Sequence, residues 1–232
     1  MVRIILAEPE RHRQGMRSYI AFFDLDQTLL DINSGKPIAR AAFREGLLSR
    51  KDLSLGSFYF SLYKMGWLPS DLVIPRVLSW FKDMPEDPFG RICRDIFENL
   101  LRHHIRKGAR ECLRFHQSQD AHTVILSAAF EQVCLPIQEM LGIDHVISTR
   151  MEVVNGHFTG RTIGQYCYGR EKLRIASQYC HTYGVPLESA YFYTDSYSDL
   201  PLLEKIGHPV CISPEKKLER IAVQKGWYIP SW

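Results

Sequence analysis

The sequence lacks three features that would point to large classes of function. It has no run of about 18 apolar residues, which argues against a membrane-spanning helix, and no C-x-x-C pair, which argues against a zinc or redox motif. It also lacks a cluster of basic residues: the net charge is only +3 and lysine and arginine are scattered among acids, so we expect no nucleic-acid partner. The 6 cysteines lie far apart, as is typical of buried thiols in a reducing compartment. These absences favour a soluble, cytoplasmic protein with no membrane span.

The amino-acid composition is that of an ordinary globular protein. Of the 232 residues, 45% are hydrophobic and 24% are charged, which is enough to bury a full core. Residues 1–17 are basic, and their apolar run IILA is too short for the core of a secretory signal peptide. We interpret residues 1–17 as an N-terminal extension whose role is open.

Short apolar runs alternate with helical patterns over most of the chain. Runs rich in β-branched and aromatic residues predict buried parallel strands at residues 19–25, 122–127, 145–149, 190–195 and 209–213. Helical patterns bounded by Gly, Pro or Ser predict helices at residues 108–119, 130–141, 169–183, 199–206 and 214–225. This alternation predicts an α/β fold with a Rossmann-like, doubly wound, mainly parallel sheet.

Two insertions interrupt the alternation. Residues 34–105 carry helical patterns rich in aromatic residues and no convincing strand, and they are too many for a simple crossover. We therefore predict that 34–105 form an inserted α-helical cap on a core made of 18–33 and 106–232. In the second insertion, MEVVNGHFTGRTI, alternating residues flank Asn155-Gly156 and predict a small β-hairpin.

Pairs of acidic residues stand where predicted strands end. Asp24 and Asp26 follow the first apolar run in FFDLDQTLL, and Asp195 and Asp199 follow the fourth in YTDSYSDLP. Ligands of open parallel sheets bind at the carboxyl ends of the strands, where clustered acids repel unless a cation offsets their charge. An all-oxygen set favours Mg²⁺. The alternative for Asp24 and Asp26 is a solvated strand end or a helix N-cap.

A serine and a lysine follow other predicted strands and fit the binding of a phosphate. Ser127 ends the run VILS, where its hydroxyl and the following main-chain N–H groups, beginning with Ala128, can hold a phosphate at a helix N-terminus. Lys172 opens the helix after the hairpin and can supply a positive charge to the same phosphate. Taken singly, Ser127 is also compatible with a helix cap and Lys172 with a solvated helical lysine.

Taken together, these residues resemble a known family. The segments FDLDQTLL, ILSAAF, CYGREK and YTDSYSDLPLLE resemble the haloacid dehalogenase superfamily of phosphohydrolases. Within it, they are most similar to the branch, subfamily IB, that includes phosphoserine phosphatase and histidinol-phosphate phosphatase-like proteins. The resemblance extends from about Tyr19 to the last predicted helix.

The resemblance implies a role for each motif residue. Asp24 would be the nucleophile that forms an aspartyl-phosphate, and Asp26 the general acid and base, which agrees with the chemistry of phosphoryl transfer. Phosphate contacts would come from Thr28, Ser127 with the Ala128 main chain, and Lys172. Mg²⁺ would be held by the Asp24 carboxylate, the Asp26 main-chain carbonyl and Asp195, with Asp199 in support.

Some positions depart from the phosphoserine phosphatase pattern. That pattern has Ser before the motif Thr, Gly-Gly after the motif Ser, and a glutamate that meets the substrate amine, whereas this chain has Gln27, Ala128-Ala129 and Asn33. An uncharged Asn33 is a poor partner for an ammonium group, which argues against phosphoserine as the substrate. Cap aromatics such as Tyr63 and Trp67 could border an apolar or aromatic substrate, or could form the cap's own core.

The sequence therefore favours a Mg²⁺-dependent phosphomonoester hydrolase. Its expected partner is a small phosphorylated metabolite, such as histidinol phosphate or another alcohol phosphate. A phosphotransferase or mutase of the same fold, and a phospholipid headgroup phosphatase, remain as alternatives. A non-catalytic binding module would be expected to have lost one of the motif residues. The oligomeric state stays open.

Overall fold

A computed structural model describes residues 18–64 and 70–232 of the chain. The predicted N-terminal extension, residues 1–17, lies outside the described residues, as does Trp67. In the described ranges the strands are β1 Ile20–Phe23, β2 His122–Phe130, β3 His145–Thr149, β4 Met151–Val154, β5 His157–Thr162, β6 Tyr191–Thr194 and β7 His208–Cys211. The α-helices are α1 Gly35–Arg44, α2 Arg50–Lys64, α3 Ser70–Ser79, α4 Glu86–Asn99, α5 Lys107–Ser118, α6 Glu131–Leu141, α7 Arg170–Thr182, α8 Leu200–Leu203 and α9 Lys216–Lys225.

The central sheet is parallel and has the strand order β3-β2-β1-β6-β7. Its middle strand, β1, has the sequence IAFF and is buried along its whole length, as expected for a strand that is covered on both faces. Alternate side chains enter two cores, because Phe23 joins a cluster on one face and Phe22 joins a cluster on the other. This arrangement confirms the predicted α/β fold with a doubly wound parallel sheet.

Most element boundaries lie within two residues of the prediction, and two elements differ by three residues at their ends. Strand β2 continues to Phe130, where it pairs with Thr149 of β3 after an irregular register, so α6 begins one residue later than expected. The helix expected at 199–206 is shorter, because a tight turn at Tyr197–Asp199 precedes α8. That turn brings Asp199 back beneath the end of β6, where Thr194 donates a hydrogen bond to it at 2.7 Å.

In the described residues, the segment between β1 and α5 is mainly helical and contains α1 to α4. Its two connections to the sheet lie side by side, because Leu30 and Ile105 form an antiparallel bridge and Asp31 N donates to His104 O at 3.0 Å. Among the described residues, no helix is long and apolar enough to cross a membrane.

The small hairpin forms as predicted, with β4 and β5 antiparallel around Asn155-Gly156. Both turn residues have positive φ angles, 51° and 76°, which is the conformation that an Asn-Gly turn supplies. The hairpin also pairs with the helical segment: Asp83 N donates to Phe158 O at 2.8 Å, and Phe158 N donates to Met84 O at 2.9 Å.

Candidate active site

The predicted site residues lie at the carboxyl ends of three neighbouring strands. Asp24 follows β1, Ser127 is the sixth of the nine residues of β2, and Asp195 follows β6. The chain crosses from one side of β1 to the other between β3 and β6, so the ends of β1 and β6 flank the topological switch point of the sheet. This is the position at which open α/β sheets bind ligands.

Asp24 is held at this position by main-chain and side-chain contacts. Its N–H donates to Tyr193 O at 2.9 Å, which continues the pairing of β1 with β6. Its carboxylate Oδ1 accepts from Leu25 N at 2.8 Å and lies 3.2 Å from Lys172 Nζ. The residue is 8% exposed, so its carboxylate is oriented before any substrate arrives.

Lys172 is a buried lysine, although taken singly its sequence position was also compatible with a solvated one. It lies in the first turn of α7, is 2% exposed, and contacts Asp24 at 3.2 Å and Asp199 Oδ2 at 2.8 Å. Burial alone would lower the pKa of Lys172, but the Asp199 and Asp24 carboxylates outweigh it and hold the pKa above its usual value. The ammonium group therefore stays charged at the floor of the site.

Asp199 is fully buried and faces this lysine. Its Oδ2 accepts hydrogen bonds from Lys172 Nζ and from Thr194 Oγ1. Its Oδ1 is buried and has no hydrogen-bond partner among the residues that the structure describes. Asp199, predicted as a supporting metal ligand, is thus placed where it orients the lysine.

Asp26 lies in a helical turn, Leu25–Leu29, that departs from helical geometry at Asp26 and Gln27. Gln27 has a φ of 58°, and this left-handed residue bends the chain back towards Asp26. The carboxylate of Asp26 accepts from Ser34 N at Oδ1 and from Asn33 Nδ2 at Oδ2, both at 2.9 Å. Removal from water raises the pKa of Asp26 to about 6, while the Ser34 hydrogen bonds lower it. A carboxyl group with this pKa can carry a proton near neutral pH.

Asp195 follows β6 on the other side of the switch point from Asp24. Thr28 Oγ1, which is fully buried, donates to Asp195 Oδ1 at 3.4 Å. Burial and the neighbouring carboxylates, Asp24 first, raise the pKa of Asp195 to about 8. A carboxyl group whose charge is so disfavoured by its neighbours is one that a bound cation would stabilise.

The predicted metal ligands around Asp24 are oxygen atoms, the donors that a hard cation prefers. In the described part of the chain, no three His, Cys, Asp or Glu side chains form a group that could hold a metal. The Asp26 carboxylate accepts hydrogen bonds from Asn33 and Ser34, and the Asp199 carboxylate accepts one from Lys172. The carboxylates of Asp24 and Asp195 and the main-chain carbonyl of Asp26 remain as candidate donors, and all are oxygen atoms, as Mg²⁺ prefers.

Ser127 and Ala128 lie on the β2 side of the site. Ser127 is 2% exposed, and its Oγ accepts from Ala129 N at 3.3 Å. The carbonyl of Ala128 accepts from Thr149 Oγ1 at 2.9 Å. These bonds fix the main chain between Ser127 and Ala129 against β3, next to the first turn of α6.

A family model described as haloacid dehalogenase-like hydrolase matches residues 21–204, which include all of these positions. The chain belongs to this hydrolase family. The chain is 29% identical over 215 residues to a probable phosphatase of Mycobacterium tuberculosis, covering 91% of this chain and 75% of that protein. It is 28% identical over 213 residues to a histidinol-phosphatase of Neisseria meningitidis, covering 90% of this chain and 96% of that one.

Solved structures agree with the hydrolase fold. A protein of unknown function from Bordetella pertussis superposes with a TM-score of 0.83 at 25% identity, over 92% of this chain and 98% of that one. A phospho-aspartyl intermediate analogue of phosphoserine phosphatase superposes with a TM-score of 0.67 at 21% identity, over 87% and 90% of the two chains. The chain is therefore an enzyme of the haloacid dehalogenase-like hydrolases with the fold that its sequence predicted.

Of the three predicted substrate residues, the structure describes the side chain of Asn33 alone. Asn33 lies beside Asp26, whereas the side chain of Tyr63 and the whole of Trp67 lie outside the described residues. Of the described aromatics in the helical segment, Phe81 is buried against Phe130 of β2, with ring centroids 4.9 Å apart. Phe81 is therefore part of the core and does not line the site.

Sequence reasoning missed three residues that shape the site. Thr194 orients Asp199, Ser34 donates its N–H to Asp26, and Arg106 Nη2 donates to Gln27 O at 3.2 Å. Thr194 lies in the quoted motif YTDSYSD and its position before Asp195 was a usable signal. No sequence signal marked Arg106, because its contact with Gln27 joins the two connections of the helical segment across a separation of 79 residues.

Proposed function

We propose that the chain is a Mg²⁺-dependent phosphomonoester hydrolase that acts on a small phosphorylated metabolite through an aspartyl-phosphate on Asp24. One observation carries the proposal: a buried lysine, Lys172, joins Asp24 to Asp199 at 3.2 and 2.8 Å at the switch point of the sheet. Burying a charge costs free energy, and a buried salt bridge often stabilises a fold no better than apolar residues of the same size would. The buried charge of Lys172 is therefore better explained by a role in catalysis, in which it assists the attack of Asp24 on a phosphate.

The proposed reaction has two displacements. An oxygen of the Asp24 carboxylate attacks phosphorus while the bond from phosphorus to the ester oxygen breaks, and Asp26 gives its proton to the leaving alkoxide. In the second step Asp26 takes a proton from water, the water oxygen attacks phosphorus, and the bond from phosphorus to Asp24 breaks. Inorganic phosphate and the two starting carboxyl groups result. General acid–base help of this kind contributes about 10²–10⁴-fold.

The residues around Asp24 supply the charges and orientation that these steps need. Lys172 and the N–H of Leu25 contact the same oxygen of Asp24 and hold its carboxylate in one direction. Ser127 and the main chain that follows it, in the part of β2 that leads into α6, would form the phosphate cradle. Mg²⁺, held by Asp24, Asp195 and the Asp26 carbonyl, would supply positive charge that neutralises the phosphate oxygens.

The proposed substrate class is an alcohol phosphate of the histidinol-phosphate kind. Support comes from the histidinol-phosphatase of Neisseria meningitidis, which matches over nearly its whole length. A phosphoserine phosphatase of Mycobacterium tuberculosis is also similar, at 26% identity, but the position expected to bind its amine is Asn33, whose amide nitrogen already donates to Asp26. We further propose that residues 34–105 are a cap that borders the leaving-group side of Asp26.

A phosphomonoester panel, assayed with Mg²⁺ and with EDTA, tests the proposal. The unaltered chain should release inorganic phosphate only with Mg²⁺, and Asp24→Asn should reduce turnover to below about one per cent, since it removes the nucleophile. Asp120→Asn is the matched control, because Asp120 lies in an exposed turn after α5 where an asparagine fits its φ of 55°. Full activity in EDTA, or an active Asp24→Asn variant, would refute the assignment.

The same panel separates the alternatives. A phosphotransferase would transfer phosphate to an added alcohol faster than to water, which product analysis detects. A headgroup phosphatase would prefer lipid phosphates over histidinol phosphate. A binding module would show phosphate-ester binding without release of phosphate.

A further inference from the structure

Both oxygens of the Asp26 carboxylate are held by consecutive residues of one loop. Ser34 N donates to Oδ1 and Asn33 Nδ2 donates to Oδ2, each at 2.9 Å. Ser34 is buried, with 1% exposure, and Asn33 is half-buried. Two donors on the two oxygens fix the plane of a carboxyl group, which a single hydrogen bond cannot do.

The Asn33 amide is itself fixed before any substrate binds. Its Oδ1 accepts from Lys36 N in the first turn of α1 at 3.3 Å, so the opposite end of the amide must face Asp26. The loop that carries it closes on the turn after Asp26, because Gln27 N donates to Ile32 O at 3.2 Å. With its amide oriented to satisfy both neighbours, the Gln27 side chain also bridges Asp31 O and Asn33 N at 3.2 Å each.

We propose that Asn33 is a positioning residue for the proton transfers of Asp26, and not a residue that binds the substrate. The inference rests on the proposed function of the site. With one lone pair on each oxygen engaged by Asn33 or Ser34, the remaining lone pairs of Asp26 keep a constant direction towards the leaving oxygen and the attacking water. Such constancy of geometry is what general acid–base catalysis requires.

The leaving group provides the test. An alkoxide needs a proton as it departs, whereas p-nitrophenolate leaves without one, so only alkyl esters depend on Asp26 during the first displacement. Asn33→Ala should lower kcat/KM for two alkyl esters, O-phosphoethanolamine and n-propyl phosphate, by about 10–100-fold, the worth of a hydrogen bond to a charged group. For p-nitrophenyl phosphate, kcat/KM should change by less than about threefold.

Turnover adds a second, independent readout. Hydrolysis of the aspartyl-phosphate is the same step for every ester and also uses Asp26, so kcat should fall by a similar factor for every ester whose turnover that step limits. Asn33→Leu, which restores bulk without a donor, should behave as Asn33→Ala does. Asn99→Ala is the matched control, because Asn99 is exposed at the end of α4 and bonds only to Asp95 O among the described residues.

The outcomes separate the possible roles. An equal loss of kcat/KM on all three esters would mean a structural role and overturn the inference, as would a loss confined to the amine-bearing ester, which would make Asn33 a substrate contact. Rescue of alkyl-ester cleavage by Asn33→Leu would also overturn it. If the unaltered chain cleaves none of the three esters or histidinol phosphate, the proposed function fails and this inference with it, whereas activity with equal losses removes only the inference.

Discussion

Replacing Lys172 by methionine would leave two acids unpaired beneath the site. Methionine keeps the length and helix propensity of the lysine stem in α7 but removes the charge 2.8 Å from Asp199 and 3.2 Å from Asp24. Asp199 is fully buried and would retain only the Thr194 hydroxyl among the donors described here. Removing one partner of a buried ion pair costs about 3–5 kcal/mol, so we expect the free energy of unfolding to fall by that amount.

A double-mutant cycle shows where this cost arises. Asp199→Asn removes the buried carboxylate and keeps an oxygen for the Thr194 hydroxyl, so Lys172→Met combined with Asp199→Asn should recover about 2 kcal/mol or more of the loss. The recovered protein should still lack phosphatase activity, because the charge beside Asp24 is absent in both variants. Stability and catalysis would then be separated at one residue.

The assay is urea unfolding at pH 7 in EDTA, with Lys225→Met as the matched control. Lys225 pairs with Glu204 at 3.0 Å, but both side chains are more than 40% exposed, and an exposed ion pair contributes about 1 kcal/mol or less. The reasoning would be refuted if Lys172→Met were no more destabilising than Lys225→Met, or if the double variant were no more stable than Lys172→Met.

Three further predictions concern packing, pH and the proposed cap. Gly207→Ala would place a Cβ 1.6 Å from Glu188 O and should lower the free energy of unfolding by about 1–3 kcal/mol. Gly90→Ala, where the added Cβ meets open space, should not destabilise the fold. Equal melting temperatures of the two variants would contradict this. Burial lowers the pKa of His116 from 6.5 to about 4, so protonation of His116 favours the unfolded chain and should lower stability by up to about 3 kcal/mol as the pH drops from 6.5 to 4. The raised pKa values of Asp26 and Asp195 act in the opposite direction over this range, so the measured quantity is the difference between variants. The stability of His116→Gln should fall less, or rise more, than that of the unaltered chain as the pH drops, and parallel stability curves would exclude this. Tyr63→Ala or Trp67→Ala should change the ratio of kcat/KM between histidinol phosphate and p-nitrophenyl phosphate; equal losses on both esters would return these residues to core packing.

The strands and the acids at their ends were predictable from the sequence for a simple physical reason. A parallel strand covered on both faces is a continuous apolar run, as in the IAFF of β1, and the polar residue that ends such a run stands at the ligand-binding edge. Asp24 and Asp195 followed from this rule alone. The hairpin was equally local, because Asn155-Gly156 supplies its own positive φ angles.

Contacts between residues that the fold brings together from separate parts of the sequence, or through a bend in the chain, were not predictable in this way. The burial of Lys172 depends on Asp199, 27 residues later, and its own helix begins with the polar sequence REK. The hydrogen bond from Asn33 to Asp26 depends on a bend at Gln27 that asparagine or glycine would ordinarily mark. For such residues the sequence shows which groups are present but not which pair they form.

The backbone pairing between the helical segment and the hairpin limits which segments of this protein can be exchanged with those of a relative. Glu86 N donates to Gly156 O, Phe158 exchanges main-chain bonds with Asp83 and Met84, and Phe158 packs on Phe89 with ring centroids 5.7 Å apart. The segment therefore has a third anchor besides its two connections to β1 and β2. A chimera that replaces residues 34–105 with the equivalent segment of a relative would leave the edge of the hairpin without its partner. Exchange of specificity between members of this family should then succeed only when 151–162 are transplanted together with 34–105.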